Sequence, residues 1–344
     1  MSLGRNRLSI FRCRPALVAV LSISLGVAGP VWPADAAGSL PLTWVADIPL
    51  PGRPTRLDYV DHDPQRHLLF IAHLGDSALV VVDIRSQSVV ATVPNLSQVH
   101  GVLVIPALSR VYATATKAHH VIAIGEDDFQ TLATIPGGVF PDGLAYAPEV
   151  HKLYVSDKIG GALVVIDVNS NQAVGNLPLG GEAGNVRYDM ASRHLFVNVR
   201  SRNELLEIDP ATDTVLGRYP LAEAEGNHGL LIDPARRLAF ITCDGNARLL
   251  VVDLRTMAVV SSHPVGANPD VLAFDPGLDR LYVASESGVV SVFSGEATGF
   301  QKIGEGQVAP HAHSIAVDRE THRVYLPIEN VDKHPVLRVM EPAH

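Results

Sequence analysis

The chain has 344 residues with 27 Lys and Arg against 36 Asp and Glu, a formal net charge of −9 at pH 7. That acidic balance, with no basic stripe, excludes nucleic acid and anionic membrane surfaces as partners. Hydrophobic residues make up 47% and charged residues 18%; with short Val- and Leu-rich runs and no sustained helical period, this predicts an all-β protein.

In chain order, residues 1–36 read as a signal peptide. Arg5, Arg7, Arg12 and Arg14 form a basic start, "ALVAVLSISLGVAG" an apolar core, and Ala34-Asp35-Ala36 a small-x-small cleavage site. The apolar run is too short to span a bilayer well, and no later run is long enough, so no integral membrane segment is expected after cleavage. The expected location is the periplasm or the exterior. Cleavage leaves 23 basic against 35 acidic residues and a single cysteine, Cys243, so no intrachain disulfide forms. Cys243 lies in an apolar strand with no adjacent base and reads as a buried thiol.

Residues 37–344 form one domain built of a repeat. The runs "LLFIAH", "RVYATA", "KLYVSD", "HLFVNV", "LAFITC", "RLYVAS" and "RVYLPI" carry Phe70, Tyr112, Tyr154, Phe196, Phe240, Tyr282 and Tyr325 at steps of 42, 42, 42, 44, 42 and 43. Each has a strand before it, such as "DGLAYAP" or "HGLLIDP", and in most copies two after it, as in "ALVVIDVNS" and "QAVGNLP". Four short strands at this period are one blade of a β-propeller, and seven copies predict seven four-stranded antiparallel blades. The last copy lacks its outer strand, whereas "LTWVADIPL" (42–50) precedes the first copy and belongs to none. Placing that N-terminal strand on the last blade closes the ring and removes an open edge. Asp83, Asp167, Asp209 and Asp253, each followed by Ser or Thr, read as turn residues.

The segment "PDGLAYAPEVHKLYVSDKIGGALVVIDVNSNQAVGNLPLGG" (141–181) and its copies resemble the YVTN-repeat seven-bladed propellers typified by exported bacterial YncE-like proteins. The resemblance covers nearly all of residues 37–344, with "YVSD", "YVAS" and "FVNV" in place of the signature tetrad. It implies the fold and an exported scaffold; function must come from a site.

That site is expected at the channel mouth, where each blade's inner strand begins. The repeat register places Thr55, His100, Asp142, Gly184, His228, Asp270 and His313 there, with Arg56 and Asn185 beside the first and fourth. Arg56, His100, Asp142, Asn185, His228, Asp270 and His313 are therefore the expected ligand-binding residues. His100, His228 and His313 stand on blades 2, 5 and 7, a nearly even triangle, and His311 adds a second imidazole from blade 7. Those four are the candidate ligands for a divalent transition metal. Taken singly, Asp142 and Asp270 read as turn residues that accept bonds from their own backbone amides. The ends of the second strands bring His73, His119, His120, Asp157, Lys158, Arg200, Arg202, Asp244, Glu286 and Glu329 to the same face. His62, His67, His151, His194 and His322 fall in turns of the opposite face and read as solvated.

Three functions fit this pattern. The first is a monomeric binding module for a small ligand, metal or protein partner. The second is a metal-dependent hydrolase, lactonase or lyase using the same ring. The third is an accessory protein of a periplasmic redox system; no Cys-x-x-Cys-His is present for haem attachment. No Gly-x-Ser-x-Gly elbow occurs, which disfavours a serine hydrolase. Sequencing the amino terminus of exported material should give Ala37; a retained basic start would mean a membrane-anchored protein instead.

Overall fold

The computed structural model describes residues 38–296 and 299–343, together with Met1, Ser2 and Gly4. The signal-peptide reading falls almost entirely outside the described residues. Residues 38–343 form seven four-stranded antiparallel sheets. Blade 3 is representative: its strands are Pro141–Ala147, Lys152–Asp157, Ala162–Asp167 and Gln172–Pro178, from the channel outward. Among the described residues, no helix is long and apolar enough to cross a membrane.

The repeated aromatic of each second strand anchors the interface between blades. Phe70, Tyr112, Tyr154, Phe196, Phe240, Tyr282 and Tyr325 are all buried, each stabilising by roughly 2–3 kcal/mol. Two of the tyrosines also bond to the next blade. Tyr112 Oη donates to Asn171 Oδ1 at 2.9 Å, and Tyr154 Oη to Asp213 Oδ1 at 2.5 Å. The predicted turn aspartates behave as expected: Asp83 accepts from the amides of Arg85 and Ser86, and Asp167, Asp209 and Asp253 do likewise. Cys243 is fully buried, and burial pushes its thiol up to about 12.

Closure follows the expected route. The strand Leu42–Pro49 pairs antiparallel with His334–Pro342 and completes the blade whose other strands are Ala316–Val317 and Val324–Val331. Arg338 and Asp47 lock this pairing with bonds of 2.9 and 2.7 Å. Upstream of it, Gly38–Leu40 lies along the outer strand of blade 6, where a Cβ on Gly304 would stand 2.3 Å from the Ser39 carbonyl oxygen.

Seven outer strands would leave seven edges open to pairing with other chains. Each is interrupted by a β-bulge at one apolar residue: Val90, Leu132, Val174, Leu216, Val260, Ile303 and Val45 in blades 1 to 7. An extra residue twists the edge away from a straight partner, so the bulges protect the rim while leaving Val90, Leu132, Val174, Leu216 and Val260 exposed.

A chain truncated to begin at Pro51 loses the closing strand. Its melting temperature should fall by about 10 °C or more, and it should aggregate through the bared edge of His334–Pro342. Unchanged melting by calorimetry would contradict this closure.

Candidate functional site

Strand pairing fixes the mouth residue of each blade. The first regular pair between inner and second strands is Val60–Ile71, Val102–Ala113, Leu144–Val155, Val186–Val197, Leu230–Ile241 and Leu272–Val283 in blades 1 to 6. Two residues earlier stand Asp58, His100, Asp142, Gly184, His228 and Asp270, with His313 in blade 7. Thr55 is therefore not the blade 1 member. Counting from Asp58 makes the ring spacing equal to that of the buried aromatics. Thr55 instead lies 3.2 Å from the buried ring of His73. Six of the seven positions carry titratable groups, and acid and imidazole alternate around the ring apart from the gap at Gly184.

One residue deeper, Tyr59 of blade 1 reaches across the channel to blade 4 and donates to Asn185 Oδ1 at 2.7 Å, both side chains being buried. Gly143 leaves room for this contact, since a Cβ there would meet Asn185 Oδ1 at 2.8 Å. The bond spans the channel beneath the ring. The mouth is thus a cup with a floor, and Asn185 belongs to the floor.

Four ring residues are clamped by the blade before them. The penultimate residue of the second strand donates to their carbonyls: Thr114 to Asp142 at 3.1 Å, Ser156 to Gly184 at 2.7 Å, Asn198 to His228 at 3.0 Å and Thr242 to Asp270 at 3.1 Å. Ala72, Ala284 and Pro327 occupy the corresponding place in blades 1, 6 and 7, so His100, His313 and Asp58 receive no such bond. The inner strands of blades 7 and 1 are also shortened, to Ala316–Val317 and Val60–Asp63.

Charge holds this irregular sector together. Arg56 Nη2 donates to Glu286 Oε1 at 2.6 Å and lies 3.1 Å from His313 Nε2, while its Nε donates to Asp58 Oδ2 at 3.3 Å. His313 Nδ1 faces the His311 carbonyl at 2.8 Å and so carries a proton; its Nε2 is 3.9 Å from Asp58. Burial alone would lower the His313 pKa, but Asp58 and Asp270 raise it to about 9. Burial alone would raise Asp58; His313, His100 and Arg56 hold it at about 2.

The opposite wall is different. Asp142 is 4% exposed, and among the described residues its carboxylate has neither a hydrogen bond nor an ion pair. Asp270 Oδ1 and His228 Nδ1 are buried without hydrogen-bond partners, and Asp270 Oδ1 lies 3.6 Å from His228 Nε2. Neither aspartate accepts the turn amides that the sequence predicts. Burial, together with Asp58, Asp142 and Glu286, raises the Asp270 carboxyl to about 7 against the pull of His313. Burial, aided by Lys158 and Arg200, lowers the His228 imidazole to about 4. A neutral imidazole thus faces a carboxyl group that ionises near neutrality, an environment suited to proton exchange.

The three ring histidines do not share a point. His100 bonds to the Gln98 carbonyl at 2.9 Å and packs edge-on against Phe140. His311 is mostly exposed, in a left-handed conformation, 3.7 Å from Glu286. Among the described residues, the ligand atoms that do converge within 4.8 Å belong to Asp270, Glu286 and His313. Opposite-face histidines also differ from the solvated reading: His322 bonds Asp275 at 2.7 Å, His194 bonds Glu207 at 2.7 Å, and His67 is buried. Asp58 was missed because blade 1 replaces the Gly that marks the ring in "HG" and "DG" with Tyr59. Its signal was present in the 42-residue step.

No protein-family model matches the chain, and no curated protein matches it by sequence. Solved structures do. The RRP9 WD40 repeats align with a TM-score of 0.73 at 11% identity, covering 87% of this chain and 100% of that one. A chain of a mitotic checkpoint complex gives 0.74 at 15% identity, covering 95% and 99%. Kuenenia stuttgartiensis hydrazine synthase gives 0.71 at 17% identity, covering 90% and 99%. At these identities the likeness shows the fold alone, a seven-bladed β-propeller.

The raised Asp270 pKa has a stability consequence. The folded state holds a proton that the unfolded state releases near its ordinary 3.8, so this group costs stability progressively as pH rises from about 4 to about 7. Asp270→Asn should therefore be more stable than the parent at pH 8, by up to roughly 2–4 kcal/mol, with the gain vanishing near pH 4. Denaturant titrations at both pH values check this, and a pH-independent difference would contradict it.

Proposed function

We propose that this chain is an exported binding propeller of the YVTN kind, whose cup at the channel mouth holds a small polar ligand. One observation carries the reading: among the described residues, Asp270 Oδ1 and His228 Nδ1 are buried without hydrogen-bond partners and the Asp142 carboxylate beside them makes none, although Asp58, His100 and His313 of the same ring are paired. Buried polar groups left unpaired cost about 1–3 kcal/mol each, and more when charged. A sequence retains such a cost where a ligand supplies the missing partners. The Tyr59–Asn185 bond across the channel beneath the ring favours a bound molecule over a conducted one. Export rests on the basic start, apolar core and small-residue cleavage site of residues 1–36.

A second reading, a metal-dependent hydrolase or lyase, is favoured by the convergence of Asp270, Glu286 and His313. It requires the Arg56 guanidinium to leave Glu286 and His313 to give up a proton, so binding of an organic ligand stands first. Melting curves of the parent and of an Asp142→Asn/Asp270→Asn double variant, taken with charged and neutral small molecules, decide the primary reading. At least one compound should raise the parent's melting temperature and leave the variant's unchanged. Identical responses in both would overturn the cup as the binding site. Metal content near one equivalent in the parent and near zero in Asp270→Asn would move the assignment to the metal reading.

A further inference from the structure

The cup contains a worked example of what it binds. Asp58, Asp142, Asp270 and Glu286 face it, and the chain supplies Arg56 and His313 as the cations against them. Arg56 shows how a cationic N–H donor sits there: a flat guanidinium donating to Glu286 at 2.6 Å and to Asp58 at 3.3 Å. One half of the cup is thereby neutralised. In the other half, two carboxyl groups, Asp142 and Asp270, face the single N–H of a neutral His228.

Building on the cup reading, we propose that this open half takes the ammonium or guanidinium head of a small organic amine, held between Asp142 and Asp270 with His228 as a neutral acceptor. A bare metal ion fits these residues poorly. The ligand atoms of Asp142, His228 and Asp270 do not form a set within 4.8 Å of one another, and the set that does is filled on one side by Arg56. An ammonium has three N–H donors and a guanidinium five, so either reaches acceptors more widely spaced than a metal's first shell. An anion would meet the repulsion of Asp142 and of ionised Asp270.

The rim beside Asp142 suits the rest of such a molecule. Phe140 leads into Pro141–Asp142 and presents its ring to His100 on one side and to Lys158 Nζ, 5.8 Å from the ring centre, on the other. Val139 and Ile159 are exposed next to it. An aromatic face and two aliphatic side chains accept an alkyl chain and add a cation–π attraction. Among the described residues the ammonium of Lys158 has no ion pair, and it is the group an incoming amine competes with.

Binding is coupled to protons. Asp270 must ionise to hold a cation. Burial, Asp58, Asp142 and Glu286 keep its proton on up to about pH 7, with His313 opposing. His228 stays neutral above about pH 4, since burial, Lys158 and Arg200 outweigh Asp142 and Asp58. Affinity for an amine therefore rises between pH 6 and pH 8, a range in which the amine itself stays charged.

Isothermal titration of the full chain with agmatine, butylammonium, butyrate and Zn²⁺ tests this. Agmatine should bind one per chain, about tenfold or more tightly at pH 8 than at pH 6, and Asp142→Asn or Asp270→Asn should each weaken it about tenfold or more. Asp127→Asn, on the far face, should leave it unchanged. Cooperative melting of the Asp142→Asn and Asp270→Asn variants guards against reading misfolding as lost binding. No heat from either amine with a cooperatively melting parent, or equal affinity in the aspartate variants, overturns the proposal. Butyrate binding that depends on Asp142 and Asp270, without amine binding, leaves the cup standing and removes its cation preference. Zn²⁺ binding alone, lost in Asp270→Asn, replaces the amine with a metal.

Discussion

Closing seven sheets on one axis forces the residues at seven equivalent positions to face one another, whatever their chemistry. Here that constraint places three aspartates and three histidines around one mouth. Carboxylates in this arrangement repel each other and lose water together, so the ring is stable only where cations or donors answer them. Closure itself depends on Leu42–Pro49 joining the last blade. The termini therefore determine whether the mouth exists at all.

Regularity and function divide around the ring. Blades 3 to 6 hold their mouth residues by a repeated side-chain bond from the preceding blade, so the backbone positions Asp142, His228 and Asp270 whether or not their side chains are paired. Blades 7, 1 and 2 lack that bond, and blades 7 and 1 have short inner strands. There the guanidinium of Arg56 does the positioning through Asp58, Glu286 and His313. A rigid backbone on one side tolerates unpaired charge, while a loose backbone on the other is pinned by paired charge. An open binding wall is consistent with the first condition and not with the second.

The fold was legible because period and packing coincide. The aromatic that repeats every 42 to 44 residues is the one buried between blades, and the missing last strand pointed to its replacement at the other end. The site was legible in part. His100, Asp142, His228, Asp270 and His313 followed from register alone. Asp58 did not, because "RLDYVDHD" offers three aspartates and lacks the glycine that marks the position elsewhere. The Tyr59–Asn185 floor joins blades 1 and 4, a contact that no local pattern encodes. Taken singly, Asp142 and Asp270 also suited a turn reading in sequence; in the fold neither carboxylate accepts a backbone amide among the described residues.

The most direct measurement is the titration of the aspartate side chains by carbon-13 NMR, with Asp270 assigned by its loss in a variant. Burial, reinforced by Asp58, Asp142 and Glu286, requires Asp270 to titrate at about 7, while Asp58, held by His313, His100 and Arg56, stays ionised down to about 2. If both instead titrate together near 4, the two walls of the cup are electrostatically alike, and the division into a paired and an open half is wrong.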